Sequence, residues 1–74
     1  MPKLPVISGD EFVHAMEQLG YSIDRIRGSH MILRAAGRPQ LSVPRHRTLD
    51  RGTLRGLIRD AGLTVEDFLE LLTQ

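Results

Sequence analysis

A chain of seventy-four residues buries only about 60% of the surface it exposes when unfolded, so one small core is all it can build and a single domain over residues 1–74 is expected. Hydrophobic residues make up 41% and charged residues 26%, which is the composition of a folded globular domain and not of a disordered one. There is no cysteine, which removes disulfides and thiolate chemistry and points to a reducing compartment.

The first helix is announced by Ser8 with Glu11 three residues on, a capping box in which hydroxyl and carboxylate satisfy free backbone N–H groups. Phe12, Met16 and Leu19, with Val13 and Ala15 beside them, repeat at helical spacing, and Gly20 ends the helix. His14 lies about 200° around the helix from Phe12 and belongs to the outer surface.

From Tyr21 the period changes to two. Tyr21 and Ile23 alternate with Ser22 and Asp24, which predicts a half-buried strand, and Arg27 leads into Gly28 and Ser29, a dipeptide suited to a tight hairpin turn. His30 opens a second strand in which Met31 and Leu33 share one face while His30, Ile32 and Arg34 share the other. A turn from Ala35 to Pro39 around Gly37 precedes a third strand marked by Leu41 and Val43 and closed by Pro44.

After a basic loop from Arg45 to Arg47, Asp50 is the N-cap of a second helix with an apolar stripe of Leu54, Leu57, Ile58 and Ala61, ended by Gly62. Gly52 and Gly56 weaken this helix by up to about 1 kcal/mol each against alanine, so packing on the sheet must compensate, or Gly56 permits close approach to a strand. A short last helix starts at Thr64, with Asp67 completing its cap and Val65, Phe68, Leu69 and Leu72 as its buried side. The expected fold is α+β: α-β-β-β-α with a short C-terminal helix, a three-stranded antiparallel sheet, and helices on one face only.

The net charge of +1 hides an asymmetry. Nine of the ten basic residues fall between Arg25 and Arg59, all nine are arginine, and Asp50 is the only acid among them, a local charge of +8. Planar guanidinium forks suit bidentate contacts to phosphate or carboxylate, so a polyanion or an acidic protein partner is expected. Two imidazoles, His30 in Gly28-Ser29-His30 and His46 in Pro44-Arg45-His46, sit within that segment. Histidine's unperturbed pKa of roughly 6.5 lets it act as base or acid near neutrality.

The order of elements, Gly28-Ser29-His30 after an arginine-rich strand, Val43 through His46 after the third strand, and Gly52, Thr53, Leu54 and Arg55 opening the second helix together resemble the HicA toxins of bacterial type II toxin–antitoxin systems, also called mRNA interferases or YcfA-like proteins. The likeness extends from Leu4 to Leu72, including Ala61-Gly62-Leu63 and Glu66 to Leu69. It implies a sandwich similar to the double-stranded-RNA-binding domain, an endoribonuclease that cleaves messenger RNA, and a HicB-like antitoxin that covers the active site. The family's catalytic histidine corresponds to His30. The proline-variable-histidine pattern corresponds to Pro44, Arg45 and His46, with His46 either a second catalytic residue or a phosphate contact.

The residues themselves favour a mechanism that uses RNA's own 2′-hydroxyl. No cysteine is present, the histidines lack clustered metal-ligand spacing, and no pair of acids sits in the basic segment to hold magnesium. Neither a metal nor a cofactor is expected. His30 is the candidate base, Arg27, Ser29, Arg45 and Arg47 the candidate RNA contacts, and Gly28 a turn residue with φ > 0. The alternative is a non-catalytic RNA-binding module using the arginine-rich face, which would lack the usual aromatic platform because Phe12, Tyr21 and Phe68 look like core. A protein interaction domain with an acidic partner is the third reading. From Met1 to Ile7 there is no charged region followed by an apolar stretch, and nowhere a run of about 18 apolar residues, so the expected location is the cytoplasm, away from membranes.

Overall fold

The computed structural model describes residues 3–73, in the order α1 (Gly9–Glu17), β1 (Ser22–Arg27), β2 (His30–Ala35), β3 (Arg38–Pro44), α2 (Arg51–Asp60) and α3 (Val65–Leu72). Each helix starts at the cap its sequence provides. The Glu11 N–H donates to Ser8 Oγ at 3.0 Å while the Ser8 N–H donates to Glu11 Oε1 at 2.9 Å, and Thr64 and Asp67 make the same reciprocal pair at 3.1 Å each. At α2 both carboxylate oxygens of Asp50 are engaged by Thr53, one by its N–H at 2.8 Å and one by its hydroxyl at 2.9 Å. Such pairs satisfy N–H groups that a first turn otherwise leaves unpaired.

The strands form one antiparallel sheet in the order β1-β2-β3. Met31 and Leu33 of β2 pair with Val43 and Leu41 of β3, and all four are fully buried in one cluster with Phe12, Met16, Leu54, Ile58 and Phe68. The helices therefore share one side of the sheet, an α+β arrangement as the periodicity predicts. Phe12 and Phe68 stack at 5.5 Å between ring centroids, and the side-chain amide of Gln18 donates to the Leu71 carbonyl at 2.8 Å, so α3 is tied to α1. Tyr21 is buried just before β1 and donates its hydroxyl to the Pro39 carbonyl at 2.7 Å.

Three local expectations are corrected. β1 is not half-buried: every one of its residues is exposed. Ile23 and Ile26 face the helix side, in register with Leu33 and Met31, yet remain 43% and 48% exposed because β1 is an edge strand that α1 touches but covers only in part. On α3 only Phe68 is fully buried, and Leu71 rather than Leu69 packs against the core beside Val65 and Leu72. Gly56 approaches no strand, since the only atom within 4 Å of a Cβ built there is Arg59 Nη2 at 3.9 Å. The close approach belongs to Gly9, where a Cβ would overlap the Pro44 carbonyl oxygen.

A candidate site at one end of the open sheet face

His30 begins β2 and stands in register with Arg27 of β1 on one side and Pro44 of β3 on the other. Paired residues point to the same face of a sheet, and neighbouring strands lie about 4.8 Å apart, so Arg27, His30 and Pro44 form a row across one end. Because Met31 points into the core, His30 points away from it, onto the face the helices leave open. His30 is exposed. The turn that delivers it has Gly28 at φ +58°, a left-handed conformation that glycine adopts without a Cβ penalty.

Main-chain hydrogen bonds join three segments around this row. The Arg45 N–H donates to the Ser29 carbonyl at 2.6 Å, which carries the β2–β3 pairing one step beyond the strands. The Gly9 N–H, at the first turn of α1, donates to the His46 carbonyl at 2.9 Å, and the Leu49 N–H donates to the Ile7 carbonyl at 2.8 Å. The loop from Arg45 to Leu49 is thus fixed at both ends by the segment that starts α1, and at its beginning by the Gly28-Ser29 turn. Asp10 of α1 also reaches Arg45, with 3.5 Å between Oδ1 and Nε; both side chains are largely exposed, so this pair orients more than it stabilises.

The structure brings Arg27, Gly28, Ser29 and His30 together with Arg45 through backbone pairing, and holds His46 in the adjoining loop. Arg47 is exposed in the same loop. Asp50 marks where that loop ends: the Thr53 backbone N–H, then the Thr53 hydroxyl, hold its carboxyl below the ordinary carboxylate value, and the proximity of His46 is a lesser cause in the same direction. His14 stands apart on α1, 85% exposed and 3.3 Å from Glu17.

On the rest of the open face charge is partly neutralised. Asp24, at the irregularity between Ile23 and Arg25, forms ion pairs with both Arg25 and Arg34 at 3.5 Å. Ile32 lies on this face between Arg25 and Ser42 and is buried to 6% exposure although it is outside the helix-side core. Among the described residues, no three histidine, aspartate or glutamate side chains come together where a cation could be held, and no helix is long and apolar enough to cross a membrane.

Sequence reasoning did not single out Gly9 or Asp10, which support the 45–49 loop from α1. Nothing local signals them, because their partners lie far along the chain. A glycine just after the Ser8 cap was the one available clue.

These features define a small α+β protein whose sheet presents a histidine among arginines on an uncovered face. The chain matches the family model described as HicA toxin of bacterial toxin–antitoxin over residues 9–63. It belongs to the HicA toxin family, and is thus the toxin partner of an antitoxin. The match opens at Gly9 and takes in the whole candidate row, while α3 lies beyond its end at Leu63. No curated protein matches the chain.

Proposed function

We propose that this toxin is an endoribonuclease that cuts messenger RNA in the cytoplasm without a metal or cofactor, and that a HicB-like antitoxin restrains it by covering the open sheet face. The observation that carries the reading is the register of His30 with Arg27 on that face, beside a turn bonded directly to Arg45. Neutral His30 takes the proton of a ribose 2′-hydroxyl. The 2′-oxygen attacks the adjacent phosphorus as the bond to the 5′-oxygen of the next nucleotide breaks. The departing 5′-oxygen takes up a proton, for which His46 is the candidate donor. Arg27, Arg45 and Arg47 offset the charge that builds on the phosphoryl oxygens, and Ser29 touches the phosphate from the turn. The products are a 2′,3′-cyclic phosphate and a 5′-hydroxyl.

The test is cleavage of a purified messenger RNA by wild type and His30→Ala in EDTA, with the new ends identified chemically. General-base removal is expected to cost about 10²–10⁴ in rate. Because His30 is exposed, the variant is expected to keep its stability within about 0.5 kcal/mol. Cyclic-phosphate ends made by wild type and lost in the variant support the mechanism. Equal cutting by both proteins removes His30 from it, and binding without cutting by wild type leaves an RNA-binding module.

A further inference from the structure

The nine arginines of the basic segment fall into two groups. Arg25 and Arg34 share Asp24, Arg45 faces Asp10, and Arg38 donates from Nη1 to the Ala61 carbonyl at 3.2 Å, at the end of α2. Among the described residues no carboxylate lies within ion-pair distance of the other five, Arg27, Arg47, Arg51, Arg55 and Arg59. Three of those five lie on α2 at intervals of four residues, and all three are exposed. That spacing sets successive guanidinium groups about 6 Å apart along the helix axis, drifting slowly around one flank. Such a row matches the repeat of phosphates along an extended nucleic acid strand.

On its outward side the helix carries local costs that, among the described residues, no ion pair offsets. Like charges four residues apart repel, and the single acid at its start, Asp50, has both oxygens engaged by Thr53. Gly52 and Gly56 lie beside the arginine row on the outward side of α2. A Cβ on either would meet only Asp50 Oδ1 at 3.5 Å or Arg59 Nη2 at 3.9 Å, so neither glycine is required by packing, and neither adds a side chain of its own to the helix surface next to the row. Local rules broken without internal compensation mark surfaces that meet something else. The row also continues the loop of Arg45, His46 and Arg47, which runs directly into the start of α2.

We propose that Arg51, Arg55 and Arg59 form a phosphate track along α2 that holds the RNA strand beyond the cleavage site. This rests on the reading of the protein as an RNA-cutting toxin and adds a second contact region to it. A strand bound at the His30 end passes the 45–49 loop and lays successive phosphates against the arginines, beside Gly52 and Gly56.

The test uses the full chain carrying His30→Ala, so that no RNA is cut, and oligouridylates of about 5 and about 20 nucleotides, near the two ends of single-strand site sizes. Affinity is measured against salt concentration for this parent, for the added triple change Arg51→Gln, Arg55→Gln and Arg59→Gln, and for the matching lysine triple. With about 0.7 of slope per phosphate neutralised on a single strand, the glutamine triple is expected to lose about 2 from the slope of the long oligonucleotide. The loss is confined to the long oligonucleotide, and the lysine triple keeps the parent slope. An unchanged slope in the glutamine triple overturns the track while leaving the cleavage reading intact. An unchanged slope together with failure to co-purify with the antitoxin assigns the row to the protein partner, which also overturns the track. A parent that binds neither oligonucleotide overturns the track and the reading beneath it together.

Discussion

Gly9 and Pro44 meet backbone to backbone: a Cβ on Gly9 would overlap the Pro44 carbonyl oxygen, and Cα of Arg45 would stand 3.3 Å away. The obstacle is main chain on both sides, so no flexible side chain can move aside. Gly9→Ala is therefore expected to push the first turn of α1 off the end of β3 and to weaken the Gly9–His46 hydrogen bond. Overpacking of this kind costs about 1–3 kcal/mol. Urea unfolding checks this, and a variant as stable as wild type would show that the contact is looser than its geometry indicates.

The opposite outcome is expected at the glycines of α2. Gly52→Ala and Gly56→Ala add a methyl group into ordinary van der Waals contact and remove backbone freedom from the unfolded chain. Each is expected to stabilise the protein by up to about 1 kcal/mol. For a domain of this size that raises Tm by roughly 4–8 °C per kcal/mol. Thermal melts of the single variants read it directly.

Asp50 predicts an acid limb. Hydrogen bonds from Thr53 hold its carboxyl below the ordinary value of 3.8, so the folded protein favours the carboxylate more than the unfolded chain does. Its contribution is present above the unfolded pKa and is lost as pH falls through the lower, folded one. Asp50→Asn keeps a capping oxygen without the charge, and its stability is expected to fall less steeply than that of wild type below about pH 4. Parallel acid-unfolding curves are the check.

Tyr21 predicts an alkaline limb of the other sign. Burial raises its phenol above the ordinary value of 10.0, and the nearby Arg38 charge only partly opposes this. A raised folded pKa means that stability is intact below the unfolded value and declines as pH rises through the folded one. Tyr21→Phe is expected to lose this limb. It also removes the hydrogen bond to the Pro39 carbonyl, at a cost of about 0.5–1.5 kcal/mol near neutrality. Stability measured at pH 7 and above pH 10 separates the two effects.

The elements that sequence revealed most sharply are those whose signal is local. Ser8 with Glu11, and Thr64 with Asp67, specify their own helix starts within a single turn, and the alternation of Met31 and Leu33 with His30 and Ile32 assigns the faces of β2 with no help from tertiary structure. What it could not reveal depends on neighbours distant in the chain. Ile23 and Ile26 alternate like core residues, but whether an inward-facing strand residue is covered depends on how far the helices extend, and α1 covers β1 only in part. Leu69 and Leu71 both suit an amphipathic α3; contact with α1, seen in the Gln18–Leu71 hydrogen bond, settles which one packs. For the candidate site the motifs singled out Arg27, His30 and His46, whereas the backbone bonds from Arg45 to Ser29 and from Gly9 to His46 leave no trace in composition or spacing.

The two-arginine pairing of Asp24 has a consequence for encounter. It lowers the positive potential over the middle and far end of the open face, while Arg27, on the same strand, keeps its full charge at the His30 end. A single carboxylate thus turns a uniformly basic sheet into one with a direction. With screening lengths of about 8 Å at physiological salt, comparable to the width of two strands, that gradient survives across the face. If the toxin acts on RNA as proposed, that gradient favours first encounter at the histidine end of the face.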